Sequence, residues 1–158
     1  MNKRELVDRI IARLTAELQL LTNAALATHA EATNEENKAE DKYDTRGLEA
    51  SYLAHGQSKA AAETAQALAQ FQSLALRAFA PGEPISLGAL VTLEGKGPSF
   101  YFIGPKAGGT EIEAGDATVL VLTPQSPLGR QILGRRTGDK LQLDLGGRHS
   151  EFVIGSVT

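Results

Sequence analysis

Two runs of apolar residues, each spaced alternately four and three apart, flank one acid-rich stretch, and no other feature restricts the fold as tightly. Val7, Ile11, Leu14, Leu18, Leu21, Ala25, Thr28 and Ala32 form the first run; Leu53, Gln57, Ala60, Thr64, Ala67, Phe71, Leu74 and Ala78 form the second. This alternation keeps one stripe of a helix turned toward one partner, as in a coiled coil. Because both stripes border the same short connection, the predicted arrangement is an intramolecular antiparallel hairpin over Val7 to Ala32 and Leu53 to Ala78, in preference to an arm that dimerises. Pairing about a turn near Glu40 sets Leu14 near Ala67 and Leu21 near Ala60, with Val7 near Leu74 and Ile11 near Phe71. Large residues then face small ones along the middle, which lets two helix axes approach closely. At about 1.5 Å per residue, roughly 30 residues a side give a rod on the order of 45 Å long.

Between the runs, Glu31, Glu35, Glu36, Glu40, Asp41 and Asp44 are offset only by Lys38 and Lys42. A hairpin would hold this acidic turn away from the rest of the protein. Asp41 and Asp44 stand at the apex and three residues apart, a separation that sets them side by side if the turn is helical. They are the preferred tip acids, with Glu36 and Glu40 next in order. Taken alone, an acidic run is most often a solvated surface.

Pro81-Gly82-Glu83-Pro84 ends the helical pattern, because proline cannot continue a helix and glycine is at home just past its end. The residues beyond read as strands at Leu87 to Leu93, Phe100 to Gly104, Thr118 to Thr123, Lys140 to Asp144 and Glu151 to Val157, separated by glycine-rich turns. One helix is predicted among them, Pro127 to Leu133, with Ser126 as N-cap, Pro127 at the first position and Gly134 just past the end. The predicted class is α+β. A coiled-coil hairpin with an acidic tip occupies 1–80, and a small antiparallel β domain with one short helix occupies 85–158.

Composition narrows the functional classes. A net charge of −3 argues against a surface that tracks nucleic acid throughout. The absence of cysteine removes disulfides and thiol chemistry and is compatible with a reducing cytoplasm. No run approaches the roughly 18 apolar residues of a membrane span, so the expectation is a soluble cytoplasmic chain with no membrane partner, monomeric if the hairpin closes on itself. His29, His55 and His149 lack metal-ligand spacing and read as surface histidines. Ser51, Ser58 and Ser99 sit in no nucleophile elbow. Gly104 to Gly109 lacks the Gly-Lys-Ser/Thr ending of a phosphate loop and reads as a β-turn. Arg130, Arg135, Arg136, Lys140 and Arg148 give the C-terminal part a local basic bias.

The run Ser126-Pro127-Leu128-Gly129-Arg130-Gln131-Ile132-Leu133-Gly134-Arg135-Arg136-Thr137-Gly138-Asp139 resembles the C-terminal signature of the GreA/GreB transcript cleavage factors, Ser-Pro-x-Gly-x-x-Leu-x-Gly-x-x-x-Gly-Asp. The order of parts is similar too: helical hairpin, short linker, small FKBP-like β domain. The resemblance implies a bacterial transcription elongation factor, not itself an enzyme. Its β domain would bind RNA polymerase through Ser126, Pro127, Gly129 and Arg130, and its hairpin would enter the secondary channel. It further implies that the tip carboxylates, Asp41 and Asp44 foremost, help hold a second magnesium at the polymerase active centre so that backtracked RNA is cleaved. Nascent RNA would then be met only indirectly. The chain alone would bind that magnesium weakly, since the ion keeps most of its waters.

The tip departs from the family pattern of Asp-x-x-Glu followed by Asn-Ala-Glu-Tyr. Its nearest run is Glu36-Asn37-Lys38-Ala39-Glu40, which sets Thr33 where the first carboxylate belongs. Asp41-Lys42-Tyr43-Asp44 resembles instead the paired aspartates of DksA-type channel binders. Two alternatives therefore stand beside cleavage stimulation: a channel-binding regulator that promotes no cleavage, and a coiled-coil adaptor for another protein.

Overall fold

The computed structural model describes residues 2–33, 46–145 and 148–158, with side chains left aside at 32, 46, 144, 145, 148 and 149. Residues 11–69 form one compact unit, and residues 1–10 with 70–158 form the other. The sheet unit thus takes in the first ten residues and the segment from Gln70 to Ala80, whereas the sequence reading drew its boundary at Pro81 to Pro84.

Helix α1 runs Lys3–Thr33 and α2 runs Arg46–Gln72. Along α1 the predicted seam positions Val7, Ile11, Leu14, Leu18, Leu21, Ala25 and Thr28 are all buried or half-buried, and Lys3, Leu6, Ile10 and Ala24 beside them are covered as well. Along α2 the seam is Ala50, Ala54, Gln57, Ala60, Ala61, Thr64, Ala67 and Phe71. Leu53, placed in the seam by the sequence reading, is instead 56% exposed, while Ala54 is 5% exposed. Stepping back from Gln57 by three and then four reaches Ala54 and Ala50, and this register sets small side chains in the seam where the helices come together. Leu53→Ala is accordingly expected to change stability by less than about 0.5 kcal/mol. Ala54→Leu should cost about 1–3 kcal/mol through overpacking, as measured by urea unfolding followed by circular dichroism.

Helix α2 stops six residues short of the predicted Ala78. Leu74 N–H donates to the Phe71 carbonyl at 3.2 Å, a tightened final turn, and the Ser73 hydroxyl donates to the Gln70 carbonyl at 3.2 Å. Leu74 and Ala78 therefore leave the seam, and the expected pairing of Val7 with Leu74 falls away. The chain then turns at Ala80-Pro81-Gly82-Glu83, with Gly82 at φ 77 and Glu83 N–H donating to the Ala80 carbonyl at 3.0 Å. Proline followed by glycine at positive φ is what a type II turn requires. Arg77 lies 2.6 Å from Glu83 and stacks over Phe79 with its guanidinium carbon 4.2 Å from the ring centre. The Lys3 ammonium donates to the Arg77 carbonyl from above the same ring. Burial, with Arg77 nearby, holds the Lys3 amine below its ordinary pKa.

Strands β1 (Leu90–Glu94), β2 (Pro98–Ile103), β3 (Glu111–Ala114), β4 (Ala117–Leu122), β5 (Lys140–Leu145) and β6 (Arg148–Val157) form one sheet in the order β3-β4-β2-β1-β6-β5. Four ladders are antiparallel as expected, but β2 and β4 run parallel, so the sheet is mixed. The central strands are buried on both faces. On one face Val91, Leu93, Ile103, Leu122 and Ile154 pack with Ile85 and with Ile132 of α3 (Pro127–Ile132). On the other, Leu90, Phe102 and Val121 stand in one row across three strands, and Phe71 stacks on Phe102 at 6.4 Å between ring centres. The segment Gly104 to Gly109 is a turn, closed by Thr110 N–H to the Ala107 carbonyl at 3.2 Å and leading into a strand.

Candidate functional site

The four predicted tip acids, Glu36, Glu40, Asp41 and Asp44, lie outside the described residues. Thr33, aligned with the family's first carboxylate, ends α1 with its hydroxyl donating to the His29 carbonyl at 3.0 Å. Its hydroxyl proton is thus engaged by the helix backbone.

The predicted binding residues Ser126, Pro127, Gly129 and Arg130 are brought together as one corner. Ser126 is extended, at φ −64 and ψ 151, and its hydroxyl does two things: it donates to the Thr123 carbonyl at 2.8 Å and accepts from Gly129 N–H at 3.0 Å. That satisfies one of the amide donors that every helix start leaves open. Pro127 has no donor to lose there. Gly129 is buried against the loop, where an added Cβ would stand 2.0 Å from the Thr123 carbonyl oxygen. The exit is pinned in both directions, by Gly134 N–H to the Ile85 carbonyl at 2.9 Å and Ile85 N–H to the Arg135 carbonyl at 2.8 Å.

Ser126 and Gly129 therefore shape the corner from within. Pro127 and Arg130 are its exposed members, and Arg130 Nε donates to the Gln125 carbonyl at 2.8 Å, which fixes the guanidinium over the preceding loop. Arg135, Arg136 and Lys140 are exposed nearby in the chain, Lys140 lying 3.2 Å from Glu151. Such a surface is suited to an acidic partner. Asp139 is occupied in a turn, accepting from Arg136 N–H at 2.8 Å.

The hairpin carries a second feature, which sequence reasoning missed. Ala25, Leu26 and His29 of α1 and Ala54, His55 and Ser58 of α2 line one cleft of about 540 Å³. His29 and His55 are brought together there although 26 positions separate them in sequence. Helical spacing alone could have found the cleft, since 22-25-26-29 and 51-54-55-58 each define one side of a helix. Among the described residues, no group of three or more His, Cys, Asp or Glu stands close enough to hold a metal ion, and no helix is long and apolar enough to cross a membrane.

No family model matches the chain, and no curated protein matches it. Among solved structures it is similar to GreA factor homolog 1 (Gfh1) of Thermus thermophilus, with 21% identity and a TM-score of 0.40 over 94% of each chain. A second Gfh1 structure, described as a transcription factor, shows 25% identity and a TM-score of 0.42 over 93% of this chain and 92% of that one. The prokaryotic transcription elongation factor GreA/GreB from Nitrosomonas europaea shows 18% identity and a TM-score of 0.36 over 74% of this chain and 95% of its own.

Proposed function

We propose that this chain is a cytoplasmic accessory factor of bacterial RNA polymerase, monomeric and without an active site of its own. Its sheet unit docks through the corner at Ser126 to Arg130, and its hairpin enters the secondary channel. The observation that supports this reading best is that corner. The run carrying the resemblance is built as a capped and pinned helix start, with Pro127 and Arg130 on the outside. Asp41 and Asp44 would share a magnesium ion with the polymerase and assist cleavage of backtracked RNA, with Glu36 and Glu40 behind them.

Cleavage by stalled polymerase complexes, with and without added protein, tests this. The unmodified chain should accelerate cleavage, and Asp41→Ala with Asp44→Ala should reduce the stimulation by roughly 10- to 100-fold. Arg130→Ala should weaken polymerase binding by about tenfold while leaving stability unchanged. A second reading, channel occupancy without cleavage, is favoured by Thr33, whose hydroxyl is turned back onto α1 where the family has a carboxylate. It predicts tight binding and no stimulation by the unmodified protein. Failure to bind core polymerase at all would leave the adaptor reading.

A further inference from the structure

We propose that His29 of α1 and His55 of α2 form a two-imidazole clamp for a divalent transition-metal ion of the zinc and nickel kind. This depends on neither the tip carboxylates nor the Ser126 corner. The two side chains line one cleft from two different helices, and both are exposed there. Among the described residues neither imidazole makes a hydrogen bond or an ion pair, so each keeps a ring nitrogen free to coordinate. Residues 11–69 form one compact unit, so the fold brings the two imidazoles to one cleft before any ion arrives. An ion held by one ring then meets the other at high effective concentration, and binding exceeds what a single surface histidine gives.

The lining selects the ion. Thr22, Ser51 and Ser58 supply hydroxyls and, among the described residues, no Asp or Glu lines the cleft. Magnesium and calcium are held by carboxylate and carbonyl oxygen and gain little from such a wall. Imidazole suits zinc, nickel and copper(II). At about 540 Å³ the cleft has room for an ion that keeps waters in its remaining positions, and the hydroxyls are there to accept hydrogen bonds from those waters. The two ligands lie 26 positions apart on separate helices, so no local spacing announces them. A bound ion ties α1 to α2 within about three turns of the end of one and the start of the other.

The test is a calorimetric titration of the full chain with zinc chloride. One ion should bind per chain with a Kd below about 0.1 mM, and magnesium chloride should give no such signal. His29→Ala and, separately, His55→Ala should each weaken zinc binding by at least about tenfold, and the double variant should be no weaker than either, because one clamp is lost in all three. His149→Ala, at the remaining histidine of the chain, should leave binding unchanged. Zinc at about ten times Kd should raise the melting temperature of the parent by roughly 3–6 °C and that of neither cleft variant. His29 and His55 are exposed, and circular dichroism checks that each variant is folded. The proposal is overturned if zinc does not bind in that range, if magnesium binds alike, or if either single variant binds as the parent does. It is also overturned if the two losses add as for independent sites, or if sedimentation shows the ion shared between two chains.

Discussion

Gly129→Ala should destabilise the sheet unit by about 3 kcal/mol, although alanine is the better helix former. The added methyl group would stand 2.0 Å from the Thr123 carbonyl oxygen and 2.7 Å from Ser126 Oγ. Relief requires the Thr123 carbonyl to move, yet that oxygen accepts from Ser126 N–H at 3.0 Å and from the Ser126 hydroxyl at 2.8 Å. Overpacking costs about 1–3 kcal/mol, and each strained hydrogen bond adds about 1. The gain in helix propensity returns about 1. Calorimetry should record a melting temperature lower by roughly 6–12 °C. Polymerase binding, if it uses this corner, should fall with it. A variant that melts with the parent would show that the loop yields freely and that the glycine is there for another reason.

Phe71→Ala is expected to cost about 3–5 kcal/mol, the range for removing a buried phenylalanine ring. Phe71 is 1% exposed, stacks on Phe102, and leaves so little room that a Cβ at Gly104 would come 2.8 Å from its ring. The cavity would open over the row of Leu90, Phe102 and Val121, at the middle of the sheet. A melting temperature lower by roughly 10–15 °C follows, against no measurable change for Leu20→Ala, whose side chain is exposed. Phe71→Leu should recover most of the loss, because volume-conserving exchanges are tolerated best.

The helices were legible because a seam of four-three spacing survives as a pattern whatever lies around it. Along α1 the stripe from Val7 to Thr28 is covered at every position, while the burial of Leu6 and Ile10 follows no four-three spacing. In α2 the pattern was ambiguous: Leu53 and Ala54 both fit a step back from Gln57, and hydrophobicity favours leucine although it is Ala54 that is buried. The early end of α2 was hidden for a related reason. Leu74 and Ala78 continue the spacing, and what stops the helix is a local contest that Ser73 wins by bonding to Gln70. The edge strand β3 was missed because its four residues, Glu-Ile-Glu-Ala, offer one apolar side chain, yet Ala114-Gly115-Asp116-Ala117 carries a tight-turn signature with Gly115 at φ 68. The parallel pairing of β2 with β4 could not be read, since spacing along a strand says nothing about its neighbour's direction. At the candidate corner, the cap, the proline and the closing glycine were all readable, because helix-start chemistry is local. What Gly129 excludes was not, since it depends on where the Thr123 carbonyl lies.

The first ten residues belong to the unit that is completed last. Arg9 reaches the Glu113 carbonyl across 104 positions, and Leu6, Val7 and Ile10 are fully buried within that same unit. During synthesis these residues leave the ribosome on the order of ten seconds before the rest of that unit. Over that interval their apolar side chains are open to chaperones and to neighbouring nascent chains. A tag or deletion at the amino terminus should therefore register as a fault in the carboxy-terminal half, appearing as lost yield of soluble protein before any loss of activity is seen.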